Sequence, residues 1–179
     1  MSMSKNWNPL IRSLHWLSVL ILVACVAAVW GHELFASGTP ERAAMMQTHF
    51  LAGGLLGALG VLRIASRLAS QAPTPAVAPS PLMAKLAKAG HLAIYGFLLA
   101  LPLAGYIAVS GRGVPIDLLG LVSVPPLSVD KDFAHTAKEL HEGLANGFLF
   151  VLAGHVAAAL YHALVLKDGV VGAMLGKNK

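Results

Sequence analysis

Eight histidines stand in a chain of 179 residues that holds only eight acids and one cysteine. Imidazole ligates iron porphyrins and transition metals, and it is the side chain that titrates near neutrality. His15, His49, His91, His141, His155 and His162 fall on or beside long apolar stretches, while His32 and His135 fall in the connections between them. An ionisable group inside an apolar membrane segment is costly and marks a functional site by default. Cys25 has no second cysteine to pair with, and no Cys-x-x-Cys-His occurs, so covalent attachment of a c-type haem is excluded.

Spacing turns the histidines into a pattern. His141 and His155 are fourteen residues apart on one apolar stretch. That is close to four whole helical turns, so both point the same way about 21 Å apart. His15 stands three residues beyond Arg12, and His49 stands fourteen before Arg63, on two further stretches. Their depths therefore differ by roughly 16 Å at the helical rise. One helix offers two imidazoles at two levels and two other helices offer one each, as two iron porphyrins clamped between helices require.

Depth matches His49 with His141, and His15 with a fourth-helix histidine at the other face. His155 is preferred to His162 there, because His162 would place the irons about 31 Å apart, too far for the His15–His49 offset. The match is inexact, since His155 lies deeper from Lys167 than His15 does from Arg12. Gly53, Gly57, Gly147 and Gly154 suit either a flat macrocycle or close helix packing. A dinuclear metal centre would want carboxylates or thiolates beside the imidazoles, and no apolar stretch contains an acid.

The elements that must position these side chains follow from composition. Hydrophobic residues make up 56% and charged residues 12%, with a mean hydropathy of +0.70; soluble domains carry about 25% charge. Four spans are expected, at about 14–31, 43–62, 89–110 and 143–166, each near the length a bilayer core demands. Backbone groups in lipid must bond within their own segment, so these are helices. The first run is too long for a signal-peptide core, and three more follow it. Pro102 should kink the third helix. The expected fold is all-α, an integral membrane four-helix bundle with two b-type haems, formed by residues 1–179 as one domain. An extended linker is expected from Gln71 to Pro81. The longest connection, Gly111 to Lys138, cannot be regular helix at Val124-Pro125-Pro126.

Charge sets the orientation. Nine of the thirteen cations lie at the termini and in the second connection, and seven of the eight acids lie on the other side, giving nets of +8 and −3. The positive-inside rule then places both termini in the cytoplasm. The basic balance reports topology and is no sign of nucleic-acid binding.

Ser13-Leu14-His15-Trp16, the His49 helix ending in Arg63 and Arg67 before Pro73-Thr74-Pro75, and Gly90-His91-Leu92 with Leu101-Pro102 form a recognisable set. So do Lys138, His141-Glu142-x-Leu144-Ala145-Asn146, His155, His162 and Lys167-Asp168. With these residues the chain resembles, over nearly its whole length, the bacterial cytochrome b561 family of four-helix di-haem proteins. That family is distantly similar to the cytochrome b subunits of membrane formate dehydrogenases and hydrogenases. The resemblance implies the pairs His15–His155 and His49–His141 as iron ligands, in a multi-pass protein of the bacterial inner membrane. It also implies superoxide oxidation on the periplasmic side and ubiquinone reduction within the membrane.

By the same resemblance His91 and His162 are the candidates for the quinone site; bonding to backbone carbonyls or haem propionates is the other role open to them. Lys138 matches the family's lysine, with Arg112 and Lys131 as helpers in guiding the superoxide anion. Arg63 and Arg67 suit haem propionates by guanidinium geometry and suit a positive-inside anchor equally well. The connection from Gly111 to Glu142 nevertheless carries a net of −2. An acidic loop favours a second reading, in which a di-haem anchor in the lipid relays electrons between the quinone pool and a basic redox partner protein. A metal transporter would need intramembrane carboxylates that this chain lacks.

Overall fold

A computed structural model describes residues 6–73 and 80–177. The chain folds as α1 (Pro9–Gly31), α2 (Pro40–Leu68), α3 (Pro81–Ser110), β1 (Ile116–Leu118), β2 (Val122–Val124), α4 (Lys131–Tyr161) and α5 (Val170–Leu175). A 3-10 turn, His32–Leu34, follows α1, and a π turn, His162–Leu166, prolongs α4. Among the described residues four helices are long and apolar enough to cross a membrane. The linker prolines Pro75 and Pro79 lie outside the described residues, as do Lys5 and Lys179.

Each long helix starts at a polar cap, well before its apolar stretch. Asn8 Oδ1 accepts from the Leu10 N–H at 2.9 Å, Thr39 Oγ1 from Arg42 at 3.3 Å, Ser80 Oγ from Met83 at 3.4 Å and Asp130 Oδ1 from Phe133 at 2.8 Å. Pro9, Pro40 and Pro81 occupy the first helical position, where a missing N–H costs nothing. The helices therefore outrun the expected spans, most of all α4, which begins at Lys131 and not near residue 143. Apolar length measures the slab that a helix crosses, whereas caps measure the helix.

Two helix pairs pack most closely, α1 with α2 and α3 with α4, and α2 against α3 joins them. Pro102 lies inside α3 with its ring against Gly57 of α2, where a Cβ would meet Pro102 Cγ at 3.0 Å. Gly57 thus serves close approach, as small residues do between membrane helices. The central cluster is Cys25, Ala52, Leu56, Ile94, Leu98 and Phe148. Phe148, only 4% exposed, lies seven residues from each of His141 and His155 and leans on Phe97 with ring centroids 5.6 Å apart. Phe148→Ala is expected to cost about 3 kcal/mol, read as a lowered midpoint of thermal unfolding in detergent; an unchanged midpoint would show that this ring is not part of the core.

Strands β1 and β2 form an antiparallel hairpin pairing Ile116 with Val124. It covers the bundle end opposite the termini, and Asp117 Oδ2 there accepts from Gln47 Nε2 of α2 at 3.3 Å. At the end carrying the termini, α5 folds back along the start of α1. The Trp7 N–H donates to the Ala173 carbonyl at 3.2 Å and Trp16 Nε1 to that of Met174 at 3.3 Å.

Candidate functional site: two cross-helix histidine pairs

At the hairpin end, His49 of α2 faces His141 of α4 with ring centroids 6.1 Å apart and planes at 88°. Towards the termini, His15 of α1 faces His155 of α4 at 6.4 Å and 59°. One metal atom between two imidazole nitrogens needs two bonds of about 2 Å plus the nitrogen-to-centre distance of each ring, roughly 6 Å in all. Both pairs have that separation. Among the described residues no group of three or more His, Cys, Asp or Glu could hold a metal ion. A bare ion wants about four protein ligands, so a pair suits a metal whose remaining positions are filled by a macrocycle.

The orientation of the rings fits the same role. His141 Nδ1 lies 2.9 Å from the Leu101 carbonyl of α3, and His49 Nδ1 lies 3.1 Å from the Cys25 carbonyl of α1. Carbonyls only accept, so the ring proton sits on Nδ1 and Nε2 keeps its lone pair, the usual arrangement behind a ligating imidazole. Cys25 Sγ is also 3.3 Å from His49 Nδ1 and its thiol reaches the His49 carbonyl at 3.7 Å, so Cys25 clamps this ring from two sides.

Sequence reasoning missed Cys25 and Gly105. A Cβ at Gly105 would stand 3.1 Å from His141 Nδ1, so this glycine opens the path by which His141 reaches Leu101 across the helix interface. The only signal in the chain is a small residue one turn after Leu101. Gly105→Val is expected to push His141 aside and lower haem content, measured as the haem-to-protein absorbance ratio; a normal ratio would remove Gly105 from the site.

At the other pair, Arg63 Nη2 donates to His15 Nδ1 at 3.1 Å, and the guanidinium also lies 5.6 Å from the centre of the Tyr95 ring. With His15 Nε2 as a ligand the proton would move to Nδ1, and Arg63 would need another acceptor. A carboxylate suits its fork. Arg67 is elsewhere: it lies 4.9 Å over the Trp7 ring and donates to the Ser70 carbonyl at 3.3 Å. Of the two arginines expected near propionates, the fold brings only Arg63 to a histidine pair.

His91 and His162 stand in different surroundings. His91 packs edge-on to His155 at 5.5 Å with Nδ1 2.7 Å from the Ala87 carbonyl. His162 opens the π turn, bonds Asp168 through Nδ1 at 2.6 Å and lines a cavity of about 280 Å³ with Ala163, Lys167, Gly169, Val171 and Gly172. Burial pushes the Asp168 carboxyl up, but hydrogen bonds from His162 and the Val170 N–H outweigh this and hold it below the usual carboxylate range. At the hairpin end Lys138 is tied to Glu142 by a 2.6 Å ion pair, both side chains exposed. Gly53 and Gly154 have open space where a Cβ would stand, while Gly147 packs on Phe97 at 3.4 Å.

Four membrane-capable helices carrying paired imidazoles at two depths define a class, the multi-pass membrane cytochromes that carry electrons on b-type haem. The chain belongs to the prokaryotic cytochrome b561 family, whose model matches residues 6–177. It is 31% identical to the probable superoxide oxidase CybB of Yersinia pestis over 179 residues, covering 99% of each chain. Cytochrome b561 homolog 2 of Escherichia coli K12 is 33% identical over 178 residues, covering 97% of this chain and 93% of the relative. Homolog 1 of the same organism is 28% identical over 166 residues, covering 93% and 94%.

Proposed function

We propose that the protein is a superoxide:ubiquinone oxidoreductase of the bacterial inner membrane, with two b-type haems held by His49–His141 and His15–His155 and both termini in the cytoplasm. The observation that carries this reading is the two cross-helix imidazole pairs at two depths, with ring centroids 6.1 and 6.4 Å apart. The relative named as a probable superoxide oxidase supports the choice of electron donor. When bound, the haems supply one-electron transfer along the membrane normal.

The chain's own residues do the rest. The backbone carbonyls of Cys25 and Leu101 fix the rings of the outer pair, and Arg63 stands ready to hold a propionate of the inner haem. Two superoxide ions give up one electron each and leave as dioxygen. One quinone takes both electrons and two protons to become quinol, so charge and atoms balance. His91 and His162, both at the inner level, form the quinone site. The cavity beside His162, mostly small and apolar apart from His162 and Lys167, suits a quinone ring.

A second reading is an electron relay serving a basic partner protein, and the Lys138–Glu142 pair favours it, because an anion must compete with Glu142 for that ammonium. Purified, haem-loaded protein mixed with a superoxide source and a short-chain ubiquinone separates the two. Rapid haem reduction followed by quinol formation, with no other protein present, is the expected outcome. No haem reduction by superoxide would discard the oxidase and leave the relay.

A further inference from the structure

The π turn after α4 makes a contact that a regular helix forbids. Residues six apart on an α-helix stand about 120° apart around the axis and about 9 Å apart along it, yet Asp168 returns to the ring of His162. The chain does this by widening to a π turn, closed by the Lys167 N–H on the His162 carbonyl at 2.8 Å. It then turns through two left-handed residues, Lys167 at φ 49° and Gly169 at φ 81°. A π turn is a regular way to end a helix, but the left-handed residue there is usually glycine, and a lysine in that region is strained.

The product of this detour is a fixed carboxylate. Its Oδ2 takes the His162 Nδ1–H at 2.6 Å, and its Oδ1 accepts from the Val170 N–H at 3.2 Å. The Asp168 side chain is 10% exposed against 33% for His162. Lys167 lines the same cavity as His162. Arg12 of α1 packs instead against Gly176, beyond α5.

We propose that Asp168 is a positioning residue for proton delivery: by occupying Nδ1 it leaves Nε2 as the one nitrogen that His162 presents to a quinone carbonyl oxygen. This rests on the quinone-site reading above. As the quinone is reduced, the Nε2–H bond of the doubly protonated ring breaks and an O–H bond forms on the quinone. The neutral ring keeps its Nδ1–H on Asp168 and regains a proton from the aqueous face, and a second pass completes the quinol. The ionised carboxylate balances the charge of the ring while it carries both protons.

The test uses full-length, haem-loaded protein, prereduced with dithionite and mixed with a short-chain ubiquinone while haem reoxidation is followed. Asparagine caps helices as well as aspartate does, so a purely structural Asp168 predicts an unchanged rate in Asp168→Asn. The proposal predicts a fall of roughly tenfold or more, with an unchanged quinone KM, a larger solvent deuterium isotope effect and an unaltered haem spectrum. Asp168→Glu, which restores the charge, should recover most of the rate. A wild-type rate in Asp168→Asn, or equal losses in the Asn and Glu variants, overturns the proposal alone. Failure of the wild-type protein to reoxidise would overturn the quinone reading and, with it, this role.

Discussion

Replacing His49 or His141 with alanine is expected to remove one haem of two and leave a single b-type spectrum. The reason is geometric. The two rings face each other across 6.1 Å, so either loss leaves only one protein ligand at that level, while His15 and His155 stand untouched on the other. The effect should be close to all-or-none, because binding to the remaining imidazole alone gives up half of the protein's coordinate bonds. Pairing makes the double variants diagnostic. His49→Ala with His141→Ala should cost no more haem than either change alone, whereas His49→Ala with His155→Ala should abolish both haems. The pyridine haemochrome ratio to protein reads the count directly. Two haems kept in both single variants, or one kept in the His49→Ala, His155→Ala double variant, would break the pairing.

The second large effect is expected at His162. His162→Ala should slow quinone reduction by about 100-fold, the usual scale for losing a positioned general acid, while superoxide still reduces the haems at the normal rate. The separation follows from position. His162 lines a cavity with Lys167, Val171 and Gly172, and its ring is committed to Asp168 and not to a histidine partner. The other histidine pair, His49 with His141, lies at the hairpin end and should not sense the change. Stopped-flow traces of haem reduction and quinol formation in one mixture give both rates. Normal quinone turnover in this variant would take His162 out of the reaction and leave His91, edge-on to His155, as the inner titratable group to examine.

Family membership, with its b-type haem and electron transport, covers residues 6–177. In the proposed function the donor and acceptor depend on particular side chains: Lys138 at one end, and His91, His162 and Asp168 at the other. Lys138 illustrates why residue type is insufficient. A lysine one turn before a ligand histidine suits anion guidance, but its 2.6 Å bond to Glu142 screens that charge. Both groups are exposed, so the pair is held weakly, and an approaching anion competes with Glu142 for the ammonium.

Much of this protein was legible in its amino-acid order, because helical periodicity is a local property. The fourteen-residue interval between His141 and His155 fixes two imidazoles on one face of any helix that contains them, whatever surrounds it. Charges at span boundaries gave the depths of His15 and His49, and the fold brings together the pairs those depths suggested. The helix starts are also written in the chain, in Asn8-Pro9, Thr39-Pro40, Ser80-Pro81 and Asp130, upstream of the apolar stretches. The tertiary structure alone decided which atoms stand behind each ring. Leu101 and Cys25 serve His141 and His49 through backbone carbonyls, which no residue type announces, and Gly105 matters only because another helix leans on it. It also decided that Arg63, and not Arg67, reaches a histidine, and that His162 turns to Asp168. Those outcomes depend on contacts between distant segments and on two left-handed backbone residues, and periodicity along one helix carries no record of either.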